Sequence, residues 1–182
     1  NDPEYVLREL RDIDDIAMAE AGVTSIAEAR GMPQGTVVTI RGVVTWQTQW
    51  DSRVYFFQDE TGGITTFHFG APDLLVGDEV TVTGEISAYR GEIQLGSITD
   101  IQVTSPGTPP DPRVVSGAQV NNGLFQGELV QASGTLQEVL ELSYGNQRVT
   151  IQDAFGTSFA VYVDSRNGME AADWPAVGTG VQ

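Results

Sequence analysis

One histidine, no cysteine and no lysine limit the chemistry open to this chain. A serine-nucleophile triad would have to be built on His68, with Ser87 or Ser97 as nucleophile and Asp59 as the acid. Neither serine sits in the glycine-flanked elbow that presents a nucleophile, so His68 reads as an ordinary strand residue and no catalytic residue is expected. A single histidine without cysteine supplies no zinc or haem ligand set, and no disulfide or thiol chemistry is available. Asp59, Glu60, Asp73, Asp78 and Glu79 could offer oxygens to calcium, yet no loop carries the Asp-x-Asp-x-Asp-Gly alternation that wraps the ion. These carboxylates read as turn and solvent residues. The expectation is a non-enzymatic chain with no metal and no cofactor.

What remains is aromatic. Trp46, Trp50, Tyr55, Phe57, Phe67, Phe69 and Tyr89 fall in the first half of the chain, with Arg53 and Arg90 beside them. Rings of this kind stack bases or sugars on strand-built barrels. In a strand, Tyr55 and Phe57 share one face and Val54 and Phe56 the other, so at most one pair is exposed and most of the rings belong to the core. Trp46 and Trp50, among the polar residues Gln47, Thr48, Gln49 and Asp51, are expected outside it. Stacking contributes about 1 to 3 kcal/mol per base, so two exposed rings give weak binding with little positive charge. An exposed Trp pair fits a protein contact equally well, because aromatics concentrate at interface hot spots. The candidate ligand-binding residues are Trp46, Trp50, Arg53, Tyr55, Phe67, Tyr89 and Arg90.

Charge argues against a strong phosphate binder. Nine basic residues, all arginine, face 25 acidic ones for a net charge of −16, and no segment is a basic island. Such a chain meets electrostatic repulsion on approaching nucleic acid. An acidic, lysine-free surface suits the extracellular space or high salt, and genome composition that replaces Lys by Arg gives the same pattern; secretion is the expectation. No apolar run is long enough for a signal peptide or a membrane span, so no membrane insertion is expected. The start at Asn1 reads as a processed chain or a fragment.

The elements that must position these residues are short strands. Residues 3–21 carry apolar positions at three- and four-residue steps, an N-terminal helix with Asp2 as its cap and Gly22 as its stop. Ser25, followed three residues later by Glu28, opens a short helix over 25–30. Five strand-like runs follow, over 36–47 with Gly42 at a bend, 53–59, 63–69, 78–89 and 92–103. A short helical crossover is expected over 71–75. Five strands with a helix between the third and fourth is the order of the OB fold, a Greek-key barrel.

A proline-rich stretch over 105–112 is the clearest boundary, and a repeat lies beyond it. Ile40-Arg41-Gly42-Val43-Val44 matches Ala132-Ser133-Gly134-Thr135-Leu136, and Phe57-Gln58-Asp59-Glu60-Thr61-Gly62 matches Ile151-Gln152-Asp153-Ala154-Phe155-Gly156. Val76-Gly77-Asp78-Glu79-Val80 matches Val177-Gly178-Thr179-Gly180-Val181, and the spacing drifts from 92 to 94 to 101 residues, as loop insertions produce. The Gln-Asp-x-x-Gly repeat reads as a hairpin tip in which aspartate satisfies local backbone groups. The organisation is therefore an N-terminal helix over 1–24, a first OB barrel over 25–104, a linker over 105–112 and a second barrel over 113–182. In the second copy the two last strands are missing. Either the chain is part of a longer protein or a neighbour supplies the strands, and Gly178, Thr179, Gly180, Val181 and Gln182 are the candidate assembly edge.

The runs 25–30, 35–44, 57–64, 76–78 and 82–84 resemble the OB-fold modules of secreted bacterial nucleases and related extracellular multidomain proteins, over residues 25–105, with a more diverged second copy. In that family such modules are accessory and the hydrolytic metal site belongs to a separate domain. The resemblance thus implies a binding or scaffolding role, with an oligonucleotide or a glycan as ligand. The rival reading is a structural subunit of an extracellular filament or surface assembly, through self-association or neighbouring domains of a longer chain.

Overall fold

The computed structural model of the protein describes residues 22–47, 54–68 and 74–182. The N-terminal helix expected over 3–21 lies outside them, as do residues 71–73 of the crossover; Leu74 and Leu75 are in neither helix nor strand. Helix α1 (Ile26–Arg30) is followed by β1 (Val37–Gln47), β2 (Val54–Gln58), β3 (Gly63–Phe67), β4 (Glu79–Tyr89) and β5 (Glu92–Ser105). These five strands close into a barrel in the order β1-β2-β3-β5-β4. Closure comes from the parallel pairing of β3 with β5, at Thr65 with Gln94 and Thr66 with Leu95. This is the OB fold read from the strand pattern.

Strand alternation fills the barrel. Val38, Ile40 and Val44 from β1, Tyr55 and Phe57 from β2, Ile64 from β3, Val80, Val82 and Ile86 from β4 and Leu95 from β5 form one core, joined by Ile26 and Ala29 of α1. Gly42 sits within β1 where a Cβ would stand 3.1 Å from the Gln58 carbonyl oxygen on the neighbouring strand.

The second half repeats the unit and leaves it open. After β6 (Arg113–Val114) and α2 (Gly117–Asn121) come β7 (Val130–Gln131), β8 (Gly134–Glu141), β9 (Gln147–Gln152), β10 (Ser158–Val163) and β11 (Gly180–Val181). The sheet order β10-β9-β8-β11 is the order β3-β2-β1-β4 of the first barrel, and among the described residues no strand takes the place of β5. Its core is small: Leu136, Val149, Ile151, Phe159 and Val163, with Trp174 packed against it.

Backbone hydrogen bonds establish the repeat atom by atom. Gly77 N–H donates to Val44 O at 2.8 Å and Val44 N–H to Asp78 O at 2.9 Å; Gly178 N–H donates to Leu136 O at 2.8 Å and Leu136 N–H to Thr179 O at 2.9 Å. Gly77 and Gly178 both sit at positive φ, 100° and 92°, where L side chains are strained. Thr24 N–H reaches Thr39 O at 2.7 Å in the first unit, and Val115 N–H reaches Gln131 O at 2.9 Å in the second. The parallel β6–β7 pair is thus the counterpart of the Val23–Thr39 bridge. β7 and β8 together stand for the single strand β1. In the first barrel β4 pairs with β1 from Val37 to Val43, whereas β11 meets β8 only at Thr135 and Gly134.

The two units touch. Gly63, the first residue of β3, lies so close to Gly127 that a Cβ on Gly63 would fall 2.2 Å from the Gly127 carbonyl carbon. Arg30 of α1 donates from Nη1 to Gly63 O at 2.7 Å and to Gln126 O at 2.9 Å, and from Nη2 to Gln126 Oε1 at 3.1 Å. Gln58 Oε1 accepts from the Leu129 N–H at 2.7 Å.

Candidate nucleic-acid interface

The site is built on the outer face of β2 and β3. Phe56 projects outward between the buried Tyr55 and Phe57, whose rings stack at 6.1 Å inside the barrel. Tyr55 is fully buried, so the expectation that it contacts ligand is corrected: parity puts Tyr55 and Phe56 on opposite faces, and burial shows that the face of Tyr55 and Phe57 is the core. Trp46 leaves the core through a break in that parity. It would share the inward face of Val44, but the β1–β2 register shifts between Val44 and Trp46, and the ring emerges 39% exposed. A bulge of this kind re-aims a side chain. The Trp46 ring meets Phe56, its partner across the strands, edge-on at 5.5 Å.

Phe67 at the end of β3 is exposed, and Tyr89 stands at the β4–β5 hairpin. The tip of that hairpin is Arg90-Gly91, both at positive φ, 52° and 88°. A two-residue turn of this hand favours Asn-Gly, so Arg90 is held there at a conformational cost. Its guanidinium lies 5.3 Å from the Tyr89 ring centroid. Phe56, Phe67, Tyr89 and Arg90 line one groove of about 870 Å³. Glu92 on its floor accepts the Thr65 hydroxyl at 3.3 Å.

Part of the groove's lining comes from the second unit. Tyr162 of β10 and Arg166 just beyond it line the same groove. Asp164 orients Arg166 by accepting from its Nε at 2.8 Å. The Arg166 guanidinium in turn holds the Asp164 carboxyl below the usual carboxylate range.

Of the residues singled out from sequence, the structure gathers Phe67, Tyr89 and Arg90 in the groove and sets Trp46 at its margin against Phe56. Trp50 and Arg53 lie outside the described residues. Phe56, Tyr162 and Arg166 were not anticipated. A signal for Tyr162 existed, because aligning Gln58 with Gln152 places Tyr162 opposite Arg148 as Phe67 is placed opposite Val54. Of the residues considered for a triad, Asp59 and Ser87 are engaged elsewhere. Both Asp59 oxygens accept backbone N–H groups, and Ser87 donates to Gln94 O within the β4–β5 ladder. Among the described residues no group of three or more His, Cys, Asp and Glu side chains is gathered as metal ligands. The candidate assembly edge is paired on one side, Gly180 with Thr135 and Val181 with Gly134. No strand among the described residues pairs with its other side.

No family model matches the chain. Endonuclease YhcR of Bacillus subtilis (strain 168) is 31% identical to it over an alignment of 133 positions that covers 66% of this chain and 11% of that protein. The chain therefore spans only a small part of the curated relative it matches. Similar solved structures include the hypothetical protein ygiW from E. coli, with a TM-score of 0.38 and 23% identity, covering 46% of this chain and 90% of that one. A murine DNA-binding protein bound to double-stranded DNA has a TM-score of 0.41 and 23% identity, covering 49% of this chain and 51% of that one. A replication protein A heterotrimer bound to single-stranded DNA has a TM-score of 0.37 and 14% identity, covering 80% of this chain and 42% of that one.

Proposed function

We propose that the chain is a non-catalytic binding module for single-stranded nucleic acid, acting in the extracellular space as an accessory part of a larger protein. The observation that carries this reading is the groove lined by Phe56, Phe67, Tyr89 and Arg90, with Trp46 packed edge-on against Phe56. A duplex hides its base faces and presents phosphate, which a chain of net charge −16 repels; an unpaired strand presents rings to stack on. The sequence similarity to an endonuclease supports a nucleic acid over a glycan. The lysine-free, acidic surface supports secretion.

Titration with an oligothymidylate at low ionic strength tests the reading. With Arg90 and Arg166 as the cations of the groove, a slope of about −0.7 per phosphate gives a loss of only about sevenfold between 50 and 200 mM salt. Phe67→Ala should weaken binding roughly 5- to 150-fold, the range that one stacking contact spans. No detectable binding at low salt overturns the reading.

A second reading rests on the open second unit. Val161 of β10 is the counterpart of Thr66, which the first barrel buries completely beneath β5, yet Val161 remains 36% exposed. An apolar side chain left uncovered beside an open strand edge favours completion by a strand pair from a neighbouring chain or domain. Light scattering over a range of chain concentrations checks this. A chain that stays monomeric as its concentration is raised counts against assembly.

A further inference from the structure

We infer that the groove is a composite site in which Tyr162 of the second unit supplies a stacking platform, so that a single strand is read by both units at once. This rests on the nucleic-acid reading above and extends it to the second unit.

Three observations carry it. First, Tyr162, contributed by the second unit, lines the same groove as Phe56, Phe67 and Tyr89, and it is 61% exposed. Second, Phe67 and Tyr162 hold the same place in the repeat, each exposed on the third strand of its unit. The two copies thus present equivalent rings to one space. Third, the units are fixed to one another at the strand that bears Phe67. Gly63 starts β3, and its backbone is pressed against Gly127 while Arg30 bridges Gly63 O and Gln126 O. That contact holds the second unit against β3, so the groove is formed with Tyr162 already in its lining and ordering the second ring adds little entropic cost on binding. Arg166, held by Asp164, adds a cation to the same lining. Because its charge is already shared with a carboxylate, its part is smaller than that of the ring.

The experiment uses the full chain and an oligothymidylate of about 15 nucleotides, near the upper site size for one OB barrel. Wild type is compared with Phe67→Ala, Tyr162→Ala, Tyr162→Phe and Tyr162→Thr, each checked for native circular dichroism. Tyr162→Thr keeps strand propensity should the alanine variant fold poorly. The expected result is that Tyr162→Ala and Tyr162→Thr weaken binding roughly 5- to 150-fold while Tyr162→Phe, which keeps a ring, stays within about twofold. If Phe67→Ala weakens binding and the non-aromatic Tyr162 variants do not, the composite site is overturned and the first-barrel reading stands. If wild type ignores the oligonucleotide, or takes up a linear oligosaccharide in its place, both fall.

Discussion

The Asp59 carboxylate accepts the backbone N–H of Ile26, the first residue of α1, at 2.8 Å across 33 residues of sequence. Its other oxygen accepts the N–H groups of Thr61 and Gly62 at 2.7 and 2.9 Å. One side chain therefore ties the β2–β3 hairpin to the helix that plugs the barrel, and satisfies a helix-end donor that would otherwise lack a partner. Asp59→Ala should cost about 1 to 2 kcal/mol, the upper part of the range for losing a helix cap. Glu60→Ala, on an exposed neighbour with no such bonds, should stay within about 0.5 kcal/mol. Urea denaturation of both variants checks the contrast, and equal losses would remove the special place of Asp59.

Asp153 does the same in the second unit, accepting from Gly117, Phe155 and Thr157, each at 2.9 Å. Burial pushes its carboxyl up, but the N–H bonds from Thr157, Gly117 and Phe155 together outweigh that and hold it below the usual range. A carboxyl depressed in the folded state adds stability that is complete above its ordinary pKa and is lost as pH falls through the folded value. Asp153→Asn should therefore flatten the acid side of the stability profile, measured by urea midpoints from neutral pH down to the acid limb. An unchanged slope would mean that other groups carry it; Glu79, lowered by its hydrogen bonds from Arg41 and Ser105, is the first to examine.

The parts of this architecture that could be read from sequence are those that constrain the chain locally. Gly42, Gly134, Gly77 and Gly178 mark a close approach or a positive φ, and those demands leave a residue signature at a recognisable spacing. The long reach of Asp59 and Asp153 left none, because the N–H groups they accept belong to no residue type. Helix α2 was missed although Ser116 and Gln119 form the capping box that Ser25 and Glu28 suggest for α1. A repeat search anchored on strands passes over it. The site was harder still: β2 carries aromatics on both faces, so parity alone left Tyr55 and Phe56 interchangeable, and the bulge before Trp46 breaks the alternation on which such an inference depends.

The two glycines that the repeat aligns, Gly42 and Gly134, should differ in what they tolerate. A Cβ at Gly42 would stand 3.1 Å from Gln58 O, a contact relieved by small shifts, whereas one at Gly134 would lie 2.2 Å from Gln152 O. Gly134→Ala must displace β9 and should cost about 1 to 3 kcal/mol, as overpacking does. Gly42→Ala should cost less. Denaturation midpoints in the reverse order would mean that the second sheet yields more easily than its backbone contacts indicate.

Tyr144 turns the chain between β8 and β9 at φ 63° and ψ 25°, followed by Gly145 at φ 73°. Two successive left-handed residues match the twist of a hairpin, and Asn-Gly is the pair that fills such a turn without strain. Tyrosine pays a steric cost there through its Cβ, and with its side chain 93% exposed it recovers little by packing. Tyr144→Asn should therefore raise stability by about 0.5 to 1 kcal/mol. A higher urea midpoint with an unchanged slope is the expected readout, since the substitution relieves the turn and leaves the buried surface as it was. A lower midpoint would show that the exposed ring makes a stabilising contact, and would make Tyr144 a packing residue of the second unit.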